Sequence, residues 1–409
     1  MSFTQTAAVA PARRRGSGLR TLVTGLIGFL TLVDLFAAQA LLPTLARTYH
    51  VTPSAMGSAV NASTLGMAAA GLIVALVSHR LPRAKGIWIS LTLLSIPTVA
   101  LAFAPSLAAF TGLRIVQGVL MATAFTLTMA YLSEHGDAAE TARALSAYVT
   151  GAVAANLVGR LLASQVAGTA GLAVNFYVFA GLNLLGAVVA FASLDRMAAP
   201  AERQATGRSP WRRLAGHFAT PCLRNCFGIG FCVLFAFIGA FTYVKFVLVR
   251  TPLSLTPMAL GLVYFVFAPS MITTPLAGAV ANRFGPRPAF WGSLGLASAG
   301  LPLVLAPSLA AVIAGLTLLG VGTFFAQAVA TGFVGRAARA DRAAASGLYL
   351  ASYYLGGLAG AAVLGPVFDR AGWPATVAGV GIALGLAAWF AARLRPATAG
   401  SRASPVAAH

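Results

Sequence analysis

Eight acidic residues occur in 409, and a single one, Asp34, stands deep inside an unbroken apolar run, Thr21 to Pro43. Three bases are placed in the same way, Arg114, Arg160 and Lys245. A carboxyl removed from water gains or loses its proton according to what faces it, which is the chemistry of a proton carrier. A guanidinium so placed can grip a carboxylate through two hydrogen bonds. Asn156 precedes Arg160 by one helical turn, so the two share a face, and Gln117 follows Arg114 by three residues. The other acids, Glu134, Asp137, Glu140, Asp195, Glu202, Asp341 and Asp369, fall between apolar runs or at their ends.

The elements that must position these groups are apolar helices. The chain is 58% hydrophobic and 9% charged, against roughly 25% charged in a soluble domain, and its apolar windows are long enough to cross a bilayer core of about 30 Å. Twelve spans are expected: 20–44, 55–79, 86–104, 107–132, 143–166, 171–193, 223–249, 256–281, 288–306, 309–334, 343–366 and 374–394. Residues 1–19 form a tail, 20–194 and 223–394 two six-helix halves, 195–222 a polar linker and 395–409 a second tail. The fold class is all-α membrane. A first run carrying Asp34 is too long for the apolar part of a signal peptide and reads as the first span.

A charge at the bilayer centre costs about 3 kcal/mol on insertion scales, so such groups face the bundle interior or reach for an interface. At 1.5 Å per residue, Asp34 and Arg114 lie at similar depth. They are read as a proton-coupling pair or as a permanent salt bridge between the first and fourth spans. Arg160 and Lys245 line a substrate cavity or snorkel outward. Asn156, Gln117, Tyr243, Gln327 and Tyr353, with Asn61, Asn183 and Tyr354, are candidates for its wall or for helix packing. If all three bases face the cavity, their surplus over Asp34 favours anions over simple cations.

The net charge of +20 does not mark a nucleic-acid protein, because the bases sit between spans. With the N-terminus inside, 22 of the 28 Lys and Arg fall on the cytoplasmic side, and only Arg47, Arg250 and Arg370 on the other, so both termini are expected in the cytoplasm. Cys222, Cys226 and Cys232 cluster in one span without a nearby histidine or carboxylate and read as packing residues, not as a metal site or a disulfide framework. His50, His79, His135, His217 and His409 are scattered through loops and tails, which disfavours an intramembrane enzyme. Lys85 and Lys245 follow Ala and Val, so no phosphate-cradling Gly-x-x-x-x-Gly-Lys loop exists. No cofactor is expected.

The halves repeat at an offset of about 202 residues. Ala104-Pro-Ser-Leu-Ala-Ala109 recurs as Ala306-Pro-Ser-Leu-Ala-Ala311, and Ala75 to Arg83 aligns with Gly278 to Arg287. Parallel repeats of this kind suit a transporter that rocks one half against the other around a midplane site. A passive channel fits the duplication less well.

Gly278-x-Val-Ala-Asn-Arg-Phe-Gly-Pro-Arg287 and Arg114-Ile-Val-Gln-Gly118 resemble the loop and fourth-helix motifs of the major facilitator superfamily, over essentially the whole chain. Gly151-x-x-x-Ala-Asn156-x-x-Gly159-Arg160, Leu41-Leu-Pro43 and Leu348-Tyr-Leu-Ala-Ser-Tyr-Tyr354 are similar to its bacterial drug:proton antiporter branch, YnfM-like proteins in particular. The resemblance implies a monomeric secondary transporter in the inner membrane, driven by protons and exporting small organic molecules. It also implies a conformational role for His79, Arg80, Arg83, Asn282, Arg283 and Arg287. The motif's carboxylate is replaced by His79 and Asn282, so a fixed ionic latch is not expected there, and hydrogen bonding from Asn282 or a protonated His79 would have to substitute for it.

Overall fold

A computed structural model describes residues 15–77, 82–134, 138–194, 216–338 and 342–394. Among them every regular element is helical, and the chain crosses the membrane twelve times. Ten runs are long and apolar enough by length and composition alone. The ninth span, Pro286–Leu303, joins them, and the run Arg342–Ala392 divides into the eleventh and twelfth spans at Gly372 (φ +75°).

Loops are shorter than the apolar pattern suggests. The fifth helix continues from Ala138 to Ala170 and turns at Gly171 (φ +90°) straight into Leu172–Leu194. Only glycine adopts such a backbone without strain, so a reversal needs one residue there. The first helix likewise begins at Arg15, ahead of the expected residue 20. The linker 195–222 and the tails lie largely outside the described residues.

The duplication is visible in capping. The second span starts at Pro53 with Thr52 as its N-cap, whose hydroxyl accepts from the Ala55 amide at 3.2 Å. The eighth starts at Pro257 with Thr256 accepting from the Ala259 amide at 3.3 Å. In each, proline fills the first helical position, where an amide would have no partner. The second span is then two helices, Pro53–Asn61 and Ser63–Val77, interrupted at Ala62. The eighth alternates α and 3-10 turns from Pro257 to Phe284.

Close crossings hold each half together. A Cβ on Gly151 of the fifth span would meet the Gly25 carbonyl of the first, and one on Gly356 of the eleventh would meet the Phe231 carbonyl of the seventh. Gly118 of the fourth span sits likewise on the Ser63 carbonyl of the second. Without a hydrophobic force between helices in lipid, such backbone contact supplies the packing. Between halves, the second span packs on the eleventh and the fifth on the eighth.

Candidate functional site

The first span carries the site's acid. Asp34 is fully buried, and its Oδ2 accepts from Thr98 Oγ1 at 2.6 Å, Gln117 Nε2 at 2.8 Å and Asn183 Nδ2 at 3.1 Å. These donors come from the third, fourth and sixth spans. Arg114, equally buried, donates from Nε to the Val60 carbonyl at 3.0 Å, from Nη2 to Ser63 Oγ at 3.0 Å, and from Nη1 to Gln117 Oε1 at 2.7 Å. The expected direct Asp34–Arg114 ion pair is therefore replaced by a bridge through the Gln117 amide. Gln117, expected in the substrate cavity, belongs to this network instead.

A second cluster lies between the halves. Arg160 donates from Nε to Asn156 Oδ1 at 2.7 Å and from Nη2 to Gln39 Oε1 at 2.5 Å. Its guanidinium lies 5.1 to 5.3 Å from the ring centroids of Phe36, Tyr264 and Phe267, a cation–π cage. Lys245 of the seventh span reaches across to the Gln39 carbonyl at 2.5 Å and lies 5.9 Å from the Tyr264 ring. Both bases are buried, so neither snorkels. The longer fifth helix explains Arg160: ten residues from Ala170, it stands about 15 Å below the helix end.

This cluster has a donor to spare. Asn156 Nδ2 is buried without a hydrogen-bond partner, the Arg160 guanidinium and the Tyr264 hydroxyl face each other, and no carboxylate faces Arg160 or Lys245 among the described contacts. An unpaired buried donor costs about 1–3 kcal/mol, more when charged. A void of about 10 Å³ beside Lys245 and Tyr264 has room for about one water. That void is lined by the seventh, eighth and tenth spans alone, while Gln39, Lys245, Arg160 and Tyr264 join the two halves beside it.

The two clusters share scaffolding. Gln39 Nε2 donates to Asn61 Oδ1 at 2.9 Å, and Asn61 Nδ2 to Thr242 Oγ1 of the seventh span at 3.1 Å. Val60, one residue earlier, holds Arg114. The interruption of the second span therefore touches both the Asp34 network and the Arg160 cluster.

The Major Facilitator Superfamily model matches residues 24–268 and 246–408. The chain belongs to the major facilitator superfamily. It is similar to YybF of Bacillus subtilis (strain 168), described as an uncharacterized MFS-type transporter, at 28% identity over 90% of this chain and 91% of that one. It is similar to the inner membrane transport protein YnfM of Escherichia coli (strain K12), at 25% identity over 90% and 88%. A shorter stretch, 28% of this chain and 23% of the other, is 32% identical to the drug efflux pump JefA of Mycobacterium tuberculosis. The fold matches a solved bacterial homolog of the human lysosomal transporter Spinster, with TM-score 0.69 and 15% identity over 94% and 95% of the two chains. The protein is a multi-pass membrane transporter of this superfamily.

Other expected residues of this superfamily member fall elsewhere. Tyr243 donates to the Ala361 carbonyl at 2.7 Å and stacks on Phe368, so it packs the seventh span on the eleventh. Tyr353 lies between Tyr349 and Tyr354 in an aromatic row. Gln327 is half-buried, and the hydrogen bonds of both clusters omit it. In the loop motif Asn282, Arg283 and Arg287 are exposed and Arg83 half-buried, while His79 and Arg80 lie outside the described residues. Arg283 covers Phe284, and Arg287 donates to the Ala392 carbonyl at the end of the twelfth span. The three cysteines are free, two of them buried in packing.

Sequence reasoning missed Gln39, Thr98 and the Phe36, Tyr264 and Phe267 cage. Gln39 had a usable signal, a polar side chain in an apolar helix five residues after Asp34. The aromatic rings had none, because nothing in their local sequence separates a cage from core packing.

Proposed function

We propose that this transporter moves a small organic solute across a bacterial inner membrane by proton-coupled, alternating-access efflux, with both termini cytoplasmic. The observation that carries the reading is Asp34, an acid in mid-span held by three donors from three other spans. Burial works against its charge, while the donors and Arg114 work for it. A carboxyl held between opposing influences changes its protonation when either is altered. The loss of a proton can then be felt through Gln117, Arg114 and Val60 at the interruption of the second span, which also holds Gln39 and faces the other half. The similarity to the inner membrane transport protein YnfM supports the membrane, and that to the efflux pump JefA, over a short stretch, supports the direction. The test is reconstitution in liposomes with an imposed pH gradient. Uphill substrate movement that stops when a protonophore collapses the gradient is expected, and flux indifferent to the gradient would overturn the coupling.

A second reading, import or uniport of a small organic anion, draws on the Arg160–Lys245 cluster, where two buried bases face no carboxylate among the described residues. It keeps the same cavity and gives the surplus charge to the substrate. Transport of a carboxylate down its own gradient, with no accompanying proton movement, would favour it.

A further inference from the structure

At the membrane face where the basic loops lie, the seventh, ninth and twelfth spans end around a cavity of about 700 Å³, within the usual range of small-ligand sites, roughly 300–1,000 Å³. Three arginines line it, Arg224, Arg287 and Arg393, together with Thr220, Cys222 and Asn225. Two of the arginines are held in place. Arg287 donates to the Ala392 carbonyl, and the Arg393 guanidinium lies 3.6 Å above the Trp389 ring while Asn225 Nδ2 donates to the Arg393 carbonyl at 3.2 Å. The seventh helix opens at Pro221 in the cavity wall, and the positive end of its dipole adds to the field. Among the described residues no acidic side chain lines the cavity.

Residues 195–215 and 395–409, which adjoin the cavity in sequence, hold seven arginines against Asp195 and Glu202. The twelfth span supplies the other half of the argument. Ile382, Leu386, Trp389 and Arg393 are spaced four, three and four residues apart, one stripe along a helix. Ile382, Leu386 and Trp389 are 67%, 49% and 47% exposed, as side chains that face hydrocarbon are. The stripe runs from the lipid-facing surface up to the arginine cavity.

We propose that this cavity binds the headgroup of an anionic phospholipid, its phosphate held by Arg224, Arg287 and Arg393 and an acyl chain lying along Ile382, Leu386 and Trp389. Basic pockets between membrane helices recognise anionic headgroups through such charge-assisted bonds. A soluble phosphate would share the arginines but make no use of the apolar stripe.

The test uses the purified full-length protein in neutral detergent, with phosphatidylglycerol, phosphatidylcholine and inorganic phosphate as probes. Retained lipid is read by native mass spectrometry and stabilisation by the thermal unfolding midpoint, so the result is independent of transport and of its direction. Phosphatidylglycerol should bind and raise the midpoint, with phosphatidylcholine weaker by about tenfold and inorganic phosphate without effect at the same concentration. Arg224→Gln combined with Arg393→Gln should weaken phosphatidylglycerol binding by about tenfold, while Arg250→Gln with Arg370→Gln, on the opposite face, should leave it unchanged. If the cavity pair does not fold, the two single variants carry the comparison, each with a loss of about threefold. Equal binding of phosphatidylcholine, or full affinity in both single variants, overturns the site. Inorganic phosphate binding as tightly as phosphatidylglycerol overturns the lipid and leaves a soluble-anion site.

Discussion

Gln117 joins Arg114 to Asp34 through the two ends of one amide, its oxygen 2.7 Å from Arg114 Nη1 and its nitrogen 2.8 Å from Asp34 Oδ2. An amide is a neutral side chain that can accept from a cation and donate to an anion at once. It stands between the acid and the base. Replacing it tests that role. Gln117→Leu leaves Arg114 Nη1 without its partner, at a cost of about 1–3 kcal/mol, while Asp34 keeps the Thr98 and Asn183 donors. A lowered thermal midpoint in detergent is expected, together with an altered pH profile of transport. A variant with wild-type stability and pH profile would make the bridge incidental.

Asp34→Asn should abolish gradient-driven transport and leave counterflow exchange or equilibrium binding measurable, since it removes the one acid buried in a span among the described residues. The check is uphill and exchange flux side by side in liposomes. Full uphill transport, with the variant present in normal amounts, would reduce Asp34 to a structural hydrogen-bond acceptor.

Arg160→Gln and Lys245→Gln test the charge of the cargo. Matched anionic, neutral and cationic ligands should rank in that order on the wild type, and the anion should lose about tenfold in affinity on Arg160→Gln, which removes a buried positive charge that no carboxylate faces among the described contacts. Unchanged anion affinity in both variants, or tighter binding of the cation by the wild type, would show the two bases to be structural.

Gly151 and Gly278 should respond oppositely to alanine. A Cβ on Gly151 would collide with the Gly25 carbonyl, whereas one on Gly278 meets nothing within 4 Å. Gly151→Ala is expected to lose about 1–3 kcal/mol through forced helix separation, and Gly278→Ala to be neutral in thermal unfolding. Equal midpoints would contradict the close crossing of the first and fifth spans.

Topology is checked with single cysteines at Ser209 and Thr251 in a background lacking Cys222, Cys226 and Cys232. Ser209 should react with an impermeant reagent only from the cytoplasm and Thr251 only from outside. Reaction of both from one side would refute the assignment of the termini.

The sequence by itself determined the number of spans, their division into halves and the confinement of most bases to the loops and tails between them. Each follows from local composition: about twenty apolar residues must cross the bilayer, and charges must stay out of it. It also singled out Asp34, Arg114, Arg160 and Lys245, because a charge in an apolar run is conspicuous whatever it touches. What these groups touch was not legible. The amide between Arg114 and Asp34 comes from a residue that pattern placed elsewhere, and the Arg160 cage draws rings from the first and eighth spans, more than 220 residues apart in the chain. Depth along a helix can be counted from sequence, but rotation about its axis and the choice of neighbour are set by packing. In lipid that packing depends on where glycines let two backbones meet. Tertiary structure alone decided that Arg160 and Lys245 turn inward, and that the two clusters share the interruption in the second span.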